Sequence, residues 1–370
     1  MKISKINRKL FVGLFMANST VAFSGTVGSS EDVSNHFFFT AAPVYGSLSD
    51  EGINKTIYSN IISVNGANNA HQIDPDSRWG YLLGIGYKFG PQQDHDVTLT
   101  YTNLKNKGFD TASTPINGVL INELSQIVQV NQFVSPTDLI SPGGQQLLNA
   151  ASAVSSRYDF QTAELLTHRY FPSTFLENVS FSRYYGIKAS EFKKGFSAQY
   201  NGTMAYMDDA FLTFYTPLSN SINYEAKYYG IGPQIGMGAS WSLTRYISIV
   251  GDVSASALGG SYRSKWSESL NTAGIIPNYP NIVSTNNFSY TQSTSTTMWT
   301  SIVVGSNLAI AAQVPLKNGS IFGIQGGINT EQYWSQVNAE AIHSGVTENH
   351  LVFAQRFAVR DVFIKLNYLI

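Results

Sequence analysis

The chain ends in Arg360-Asp361-Val362-Phe363-Ile364-Lys365-Leu366-Asn367-Tyr368-Leu369-Ile370, a stretch in which apolar and polar side chains largely alternate. Successive side chains of a β-strand point to opposite faces. One face carries the apolar residues Val362, Ile364, Leu366, Tyr368 and Ile370. The other carries Asp361, Lys365 and Asn367, with Phe363 and Leu369 as apolar exceptions. This pattern is typical of the closing strand of a transmembrane β-barrel, and also of a half-buried strand in a soluble sheet.

The other end of the chain has the pattern of a secretory signal peptide over residues 1–24. Lys2, Lys5, Arg8 and Lys9 precede a short apolar stretch, and Ala22-Phe23-Ser24 supplies small residues for cleavage. We therefore predict an exported domain over residues 25–370. Cleavage removes four of the 23 basic residues and none of the 24 acidic ones, which leaves 19 against 24 and a net charge of −5. An acidic exported chain argues against a nucleic-acid partner.

The composition excludes several classes of protein. The chain has no cysteine, so neither disulfides nor thiolate metal sites are expected. Charged residues make up 13%, about half of the roughly 25% of a soluble domain, whereas 21 Tyr, 22 Phe and 31 Gly are present. No segment after the signal reaches the roughly 18 apolar residues of a membrane-spanning helix. A closed barrel faces lipid without such a helix because its strands satisfy one another's backbone hydrogen bonds.

The lengths of the connections between alternating segments decide between the two folds. The predicted strands are 37–45, 78–89, 97–105, 157–168, 178–191, 223–241, 246–261, 294–313, 320–334 and 358–370. The short connections are 90–96, 169–177, 242–245 and 314–319, and they alternate with the long connections 46–77, 106–156, 192–222, 262–293 and 335–357. Bacterial barrels have short periplasmic turns and long extracellular loops. We therefore predict an all-β, antiparallel transmembrane β-barrel of about 10 strands (range about 8–14).

The segment 106–156 is long for a simple loop and should contain structure of its own. Gly118 to Val128 and Gln145 to Val154 place apolar residues at helical spacing. We expect this loop to be partly helical.

The same alternation predicts which side chains point into the barrel. The inward candidates are Arg78, Lys88, Arg157, Asp159, Lys188, Asp252, Gln325, Asp361 and Lys365. Their mixed signs predict no strong ion preference. They fit either the lining of a narrow pore or a salt-bridge network that fills the lumen, since ten strands lie near the narrow end of the range of barrels.

Four short motifs carry a family resemblance: Asp74–Tyr87, Asp94–Thr102, Tyr184–Ile187 and Tyr229–Gly236. With them the chain resembles the Legionella-type outer membrane protein family, which contains the major outer membrane protein of that genus. The resemblance implies a porin-like, surface-exposed barrel in the bacterial outer membrane. The major protein of that group is associated with disulfide cross-linking, whereas this chain lacks cysteine. It therefore looks like a paralogue with a lesser structural role.

Three functional classes follow for such a barrel: a narrow pore for small solutes, a structural or adhesin-type barrel without conductance, and a barrel hydrolase. Asp208-Asp209 and Glu348-Asn349-His350 are the hydrolase candidates. An omptin-type site has Asp two residues before His, where this chain has Glu348, and no histidine has the Ser two residues later that a barrel phospholipase needs. We therefore expect no enzyme, catalytic residue, metal or cofactor. The expected partners are outer-membrane lipid and, through the C-terminal strand, the barrel assembly machinery; the solute and the oligomeric state stay open.

Overall fold

The fold is an all-β barrel, seen in a computed structural model. It describes residues 36–50, 57–62, 68–73, 75–90, 94–115, 119–122, 124, 145–173, 176, 178–207, 213–276, 279–316, 320–335, 341–342, 351–352 and 356–370. The predicted signal peptide over residues 1–24 lies outside this part of the chain. Within it, no helix has the length and apolar character needed to span a membrane.

Ten long strands build the barrel, and five short ones lie in its connections. The long strands are β1 (His36–Asp50), β4 (Arg78–Phe89), β5 (His95–Ser113), β7 (Gln145–Pro172), β8 (Val179–Met207), β9 (Thr213–Ser242), β10 (Ile247–Ile276), β11 (Tyr279–Pro315), β12 (Ile321–Ser335) and β15 (Arg356–Leu369). The short strands are β2 (Ile57–Ile62), β3 (Asn68–Gln72), β6 (Val119–Asn122), β13 (Ala341–Ile342) and β14 (Leu351–Val352).

Each long strand is antiparallel to two neighbours, and the sheet closes on itself. The order around the ring is β1-β4-β5-β7-β8-β9-β10-β11-β12-β15, and β15 returns to β1. In this closing pair, Val44 lies opposite Phe363 and Tyr45 opposite Val362. The predicted barrel of about ten antiparallel strands, closed by the C-terminal strand, is confirmed. A closed ring leaves no unpaired edge in the lipid.

The closing strand β15 has the two faces that its sequence predicts. Val362, Ile364 and Leu366 are 54%, 51% and 44% exposed, as expected for side chains that point out to lipid. Asp361 and Asn367 on the other face are buried. The apolar exceptions also point inward, because near the barrel ends the interior packs apolar side chains: Phe363 packs with Ala42, Val44 and Ala309, and Leu369 with Phe38.

The strands continue well past the apolar band, and their polarity then inverts. On β8, Tyr185 and Ile187 are exposed, whereas Phe196 and Tyr200 farther along the strand are buried on the opposite face. Outside the membrane the outer surface meets water, so polar side chains face out and apolar ones pack inside. This half of the barrel interior is a hydrophobic core of 27 buried residues that includes Trp266.

Two predictions about the connections are wrong for this reason. Most of 192–222 and 262–293 is strand rather than loop, because β8 continues to Met207, β9 begins at Thr213, and β10 and β11 extend toward each other. The inward apolar residues in these stretches are buried by the facing walls, so the chain stays extended.

The predicted helix over Gln145 to Val154 is also wrong, because these residues form the first part of β7. Leu147, Ala150 and Val154 are buried in the outer core, and the register shifts between Leu148 and Ala151. A bulge of this kind changes the phase of alternation and so imitates helical spacing. In Gly118 to Val128, Val119–Asn122 is the short strand β6, which pairs with β2 and β7; residues 118, 123 and 125–128 lie outside the described part.

Candidate functional site in the barrel interior

The half of the interior near the short turns contains a polar cavity of about 220 Å³, and all ten barrel strands contribute to its lining. Thr40, Thr100, Ser254 and Asn307 are typical lining residues. This cavity exists because the inward positions of the strands are small or polar within the apolar band. The side chains that face it leave room for water.

A buried acidic group lies near the periplasmic end of this cavity. Asp96 is fully buried and accepts hydrogen bonds from His168 Nδ1 at 2.7 Å and from the Tyr170 hydroxyl at 2.8 Å. Lys88, one of the predicted inward residues, is the register partner of Asp96 and is also buried on the inner face. The inner face of the wall at this level therefore carries a hydrogen-bonded carboxylate, Asp96, opposite a buried lysine, Lys88.

At mid-height a charged cluster spans the bore. Lys188 Nζ lies 2.8 Å from Glu164 Oε1 and 2.7 Å from Glu331 Oε1, and Lys188 is only 1% exposed. The Tyr333 hydroxyl donates to Glu331 Oε2 at 2.8 Å and lies 3.2 Å from Ser190 Oγ. Strands β8 and β12 are four places apart in the ring, so the Lys188–Glu331 and Ser190–Tyr333 contacts cross the lumen, whereas Glu164 of β7 lies beside Lys188 along the wall. One ammonium group here holds two carboxylates from β7 and β12.

Four other predicted inward residues, Asp252, Gln325, Asp361 and Lys365, line the cavity itself. Asp252 Oδ1 accepts a hydrogen bond from the Tyr184 hydroxyl at 3.2 Å. Asp361 Oδ2 accepts one from Asn329 Nδ2 at 3.1 Å. The sequence thus places these side chains on the face that the structure gives them; whether they contact a solute stays a prediction.

The tight fit of Tyr184 depends on a glycine of the neighbouring strand β9. A Cβ atom built on Gly236 would overlap the Tyr184 ring. The inward glycine therefore permits close packing of an aromatic side chain.

The inward assignments of Arg157 and Asp159 are wrong. The even-numbered residues of β7 from Ala150 to Thr162 are buried, so these two odd-numbered residues point outward, and Arg157 Nη2 binds Asp159 Oδ2 at 2.8 Å on the outer surface. The alternation misleads here because β7 has already left the apolar band. Arg78 lies at the outer end of β4, half exposed, with Nη2 3.6 Å from Asp76 Oδ2.

An aromatic layer lies next to the charged cluster, toward the extracellular side. Phe192 of β8 stacks on Phe357 of β15 with ring centroids 4.7 Å apart and planes inclined by 8°. These strands are five places apart in a ring of ten and so stand on opposite walls. Phe160 of β7 contacts Tyr333 of β12, which also lies five places away, at 5.9 Å. The aromatic rings therefore meet across the middle of the bore.

Sequence reasoning missed this layer because it treated apolar alternation as a lipid-facing signal. The parity of the residue numbers along the strand shows which face a side chain is on. Phe192 has the same parity as Lys188 and Tyr184, so it lies on their inward face. A switch of the apolar residues from one parity to the other marks the point where a strand leaves the membrane.

The hydrolase candidates Asp208, Asp209, Glu348, Asn349 and His350 lie outside the described residues. Within the part of the chain that the structure covers, no group of three or more His, Cys, Asp or Glu side chains is arranged to hold a metal ion.

Three solved structures are remotely similar to this chain. The outer membrane protease OmpT of Escherichia coli is 12% identical, with 92% of this chain and 99% of that chain covered and a TM-score of 0.33. A Pseudomonas aeruginosa FadL homologue is 6% identical, with 90% of each chain covered and a TM-score of 0.23. Acinetobacter baumannii CarO is 10% identical, with 84% and 98% covered and a TM-score of 0.24. Similarity at this level carries no argument about function.

No curated protein sequence matches the chain significantly. A family model does, and it is described as the Legionella pneumophila major outer membrane protein precursor; it matches residues 37–370, nearly the whole chain. The match includes every barrel strand except the first residue of β1. The chain belongs to the Legionella major outer membrane protein family and is a protein of the bacterial outer membrane.

Proposed function

We propose that this outer-membrane barrel is closed at rest and acts as a surface-exposed structural barrel without conductance. The observation that carries the proposal is the stacking of Phe192 on Phe357, from opposite walls of the barrel. A hydrated ion that enters the polar cavity from the periplasm meets this layer of rings. Hydrophobic constrictions stop ions because water leaves them readily.

The charged cluster below the aromatic layer supports the same proposal. Lys188 pairs with Glu331 across the bore at 2.7 Å and with Glu164 of the neighbouring strand at 2.8 Å, so the three charges are engaged with one another. In a selectivity filter, charged side chains must be available to the passing ion. A mutually bonded cluster instead ties the walls together, which favours the lumen-filling network over the pore lining.

The narrow pore for small solutes is the competing function, and the polar cavity is the observation that favours it. Purified wild-type protein inserted in planar lipid bilayers separates the two. The closed barrel gives no discrete conductance steps when folded protein is present in the bilayer. Reproducible steps of uniform size from wild-type protein would exclude the proposal and establish the pore.

The proposal assigns the protein no enzymatic activity. Its partners are outer-membrane lipid, through the apolar band, and the assembly machinery that recognises the C-terminal strand β15. The pairing of β15 with β1 supports the latter role, since this seam closes last in a barrel whose remaining strands are sequential neighbours. Crosslinking from Val362 or Leu366, which point outward on β15, to the assembly machinery in cells tests it.

A further inference from the structure

Basic side chains are concentrated on one side of the outer surface, just beyond the apolar band. Lys105, Lys107, Arg157, Lys193, Lys227, Arg263 and Lys265 lie on five consecutive strands of the ring, β5, β7, β8, β9 and β10. We call these seven residues the basic belt. Lys105, Lys107, Arg157, Lys227, Arg263 and Lys265 are exposed, and the side chain of Lys193 is 43% exposed.

The strand register places these residues side by side. Lys105 pairs with Asp159, which pairs with Lys193. Lys193 then pairs with Lys227, and Lys227 with Arg263. One row across five strands therefore reads plus, minus, plus, plus, plus, and all five side chains point outward.

The next row outward also has an excess of basic residues. Lys107 pairs with Arg157, and Lys265 pairs with Glu225. Together with Glu191, the belt region holds seven basic and three acidic side chains, a net charge of +4, in a chain whose formal net charge is −1.

Two of the three acidic residues, Asp159 and Glu191, are already engaged in ion pairs within this surface. Arg157 binds Asp159 at 2.8 Å, and Glu191 accepts from both Lys193 and Lys227. Like charges directly opposite each other on neighbouring strands destabilise a sheet. Lys193 and Lys227 share the single carboxylate of Glu191, and Lys227 lies opposite Arg263 in the register, so this row keeps an excess of positive charge that a further anion would offset.

The height of the belt identifies the anion. On β9, Ile231, Ile235 and Met237 are exposed apolar residues of the lipid-facing band. Lys227 lies four residues before Ile231 in the sequence, on the extracellular side of the band. The belt thus lies at the extracellular edge of the membrane, where lipid headgroups are found. On the opposite wall, the outward positions Ser47, Thr300 and Gln332 are uncharged, and the exposed cation Arg360 of β15 has the uncharged register partners Ser47 and Thr330.

We propose that the basic belt binds the phosphate groups of the glycolipid in the outer leaflet. Arg and Lys side chains form charge-assisted hydrogen bonds with phosphate oxygens, and clusters of basic residues beside a membrane attract anionic headgroups. The belt fits a lipid with more than one phosphate, because its charges span five strands. This proposal is independent of whether the bore conducts.

Binding of fluorescent bisphosphorylated lipid A to the folded protein in neutral detergent tests the proposal. We expect the triple variant Lys193→Gln, Lys227→Gln, Arg263→Gln to bind at least about tenfold more weakly than the wild type. The variant Arg360→Gln, which removes an exposed cation from the other side of the barrel, should bind like the wild type. Heat-modifiable gel mobility confirms that each variant is folded, and Lys105→Gln, Lys107→Gln, Arg157→Gln provides a second variant at the other end of the belt.

The probe itself has two controls. Enzymatically dephosphorylated lipid A should bind the wild type weakly, and inorganic phosphate should compete poorly because it lacks the membrane anchor. The proposal is overturned if both folded triple variants bind lipid A as tightly as the wild type, or if dephosphorylated lipid A binds equally well. The proposal would also be overturned if inorganic phosphate displaced lipid A at concentrations similar to those of lipid A itself, because the belt would then bind a soluble anion.

Discussion

The rings of Phe192 and Phe357 stack 4.7 Å apart although their strands stand on opposite walls of the barrel. Phe357 also contacts Phe160 and Tyr333, at 6.0 and 5.8 Å. This arrangement joins two opposite parts of the wall, β7–β8 and β12–β15, in one layer. It divides the interior into a polar half and a hydrophobic half.

Removal of the stacked pair should open the bore. The double variant Phe192→Ala, Phe357→Ala deletes both rings, and we expect it to show discrete conductance steps in planar bilayers that the wild type lacks. Tyr185→Ala is the matched control, because Tyr185 of β8 is exposed on the outer surface and its loss leaves the bore unchanged. A folded double variant that stays silent would show that another part of the interior closes the barrel.

Lys188 should stabilise the barrel only as the partner of two carboxylates. Lys188→Met leaves Glu164 and Glu331 facing each other without a cation, and loss of one partner from a buried pair costs about 3–5 kcal/mol. We expect the free energy of unfolding in urea to fall by this amount. The triple variant Lys188→Met, Glu164→Gln, Glu331→Gln should recover most of it, since it removes the uncompensated charges. Equal stability of Lys188→Met and the wild type would contradict the role of the cluster.

Substitution of Gly236, with Gly259 as the control, tests the close packing of Tyr184 against β9. Gly236→Ala forces the Tyr184 ring to move, because the new methyl group would overlap it; overpacking of this kind costs about 1–3 kcal/mol. Gly259→Ala meets nothing within 4 Å and should change stability by less than about 0.5 kcal/mol. Thermal unfolding of both variants checks the difference, and equal melting temperatures would exclude close packing as the reason for Gly236.

Acid should loosen the contact of β2 and β3 with β5 at the extracellular end. Burial favours the neutral form of Asp110, but hydrogen bonds from His71 Nδ1 at 3.1 Å and the Tyr58 hydroxyl at 3.0 Å outweigh it and lower the pKa of Asp110. The same burial, with the adjacent Asp110, raises the pKa of Tyr58. A depressed carboxyl pKa stabilises the fold above the unfolded value of about 3.9, and this contribution is lost as the pH falls through the folded pKa.

Amide hydrogen exchange in β2 and β3 between pH 6 and pH 3, corrected for the intrinsic rates, measures this effect. We expect protection to fall at the acidic end in the wild type. Asp110→Asn should have low protection at both pH values. The variant lacks the carboxylate that stabilises this contact, and its amide does not titrate between pH 6 and pH 3. A wild type whose protection does not depend on pH would contradict the assignment.

The alternation of apolar residues, together with the alternation of short and long connections, predicted the barrel, the ten strands and the closing role of β15. Val362, Ile364 and Leu366 face lipid as predicted because, within the membrane, the environment of each face depends only on the parity of the residue. The same reasoning located Asp361 and Lys365 on the inner face. It failed for Arg157 and Asp159, because they lie beyond the membrane, where polar side chains face outward to water.

The order of residues along the chain was enough to predict the strand period, the alternation of short and long connections, and the residues that contact lipid. These features depend on neighbours along the chain and on the membrane. Only the tertiary structure decided that the strands rise far beyond the membrane, that Phe192 meets Phe357, and that Lys188 bridges Glu164 and Glu331. The Phe192–Phe357 and Lys188–Glu331 contacts join strands four or five places apart around the ring. They depend on the diameter of the closed barrel, which no local pattern of residues encodes.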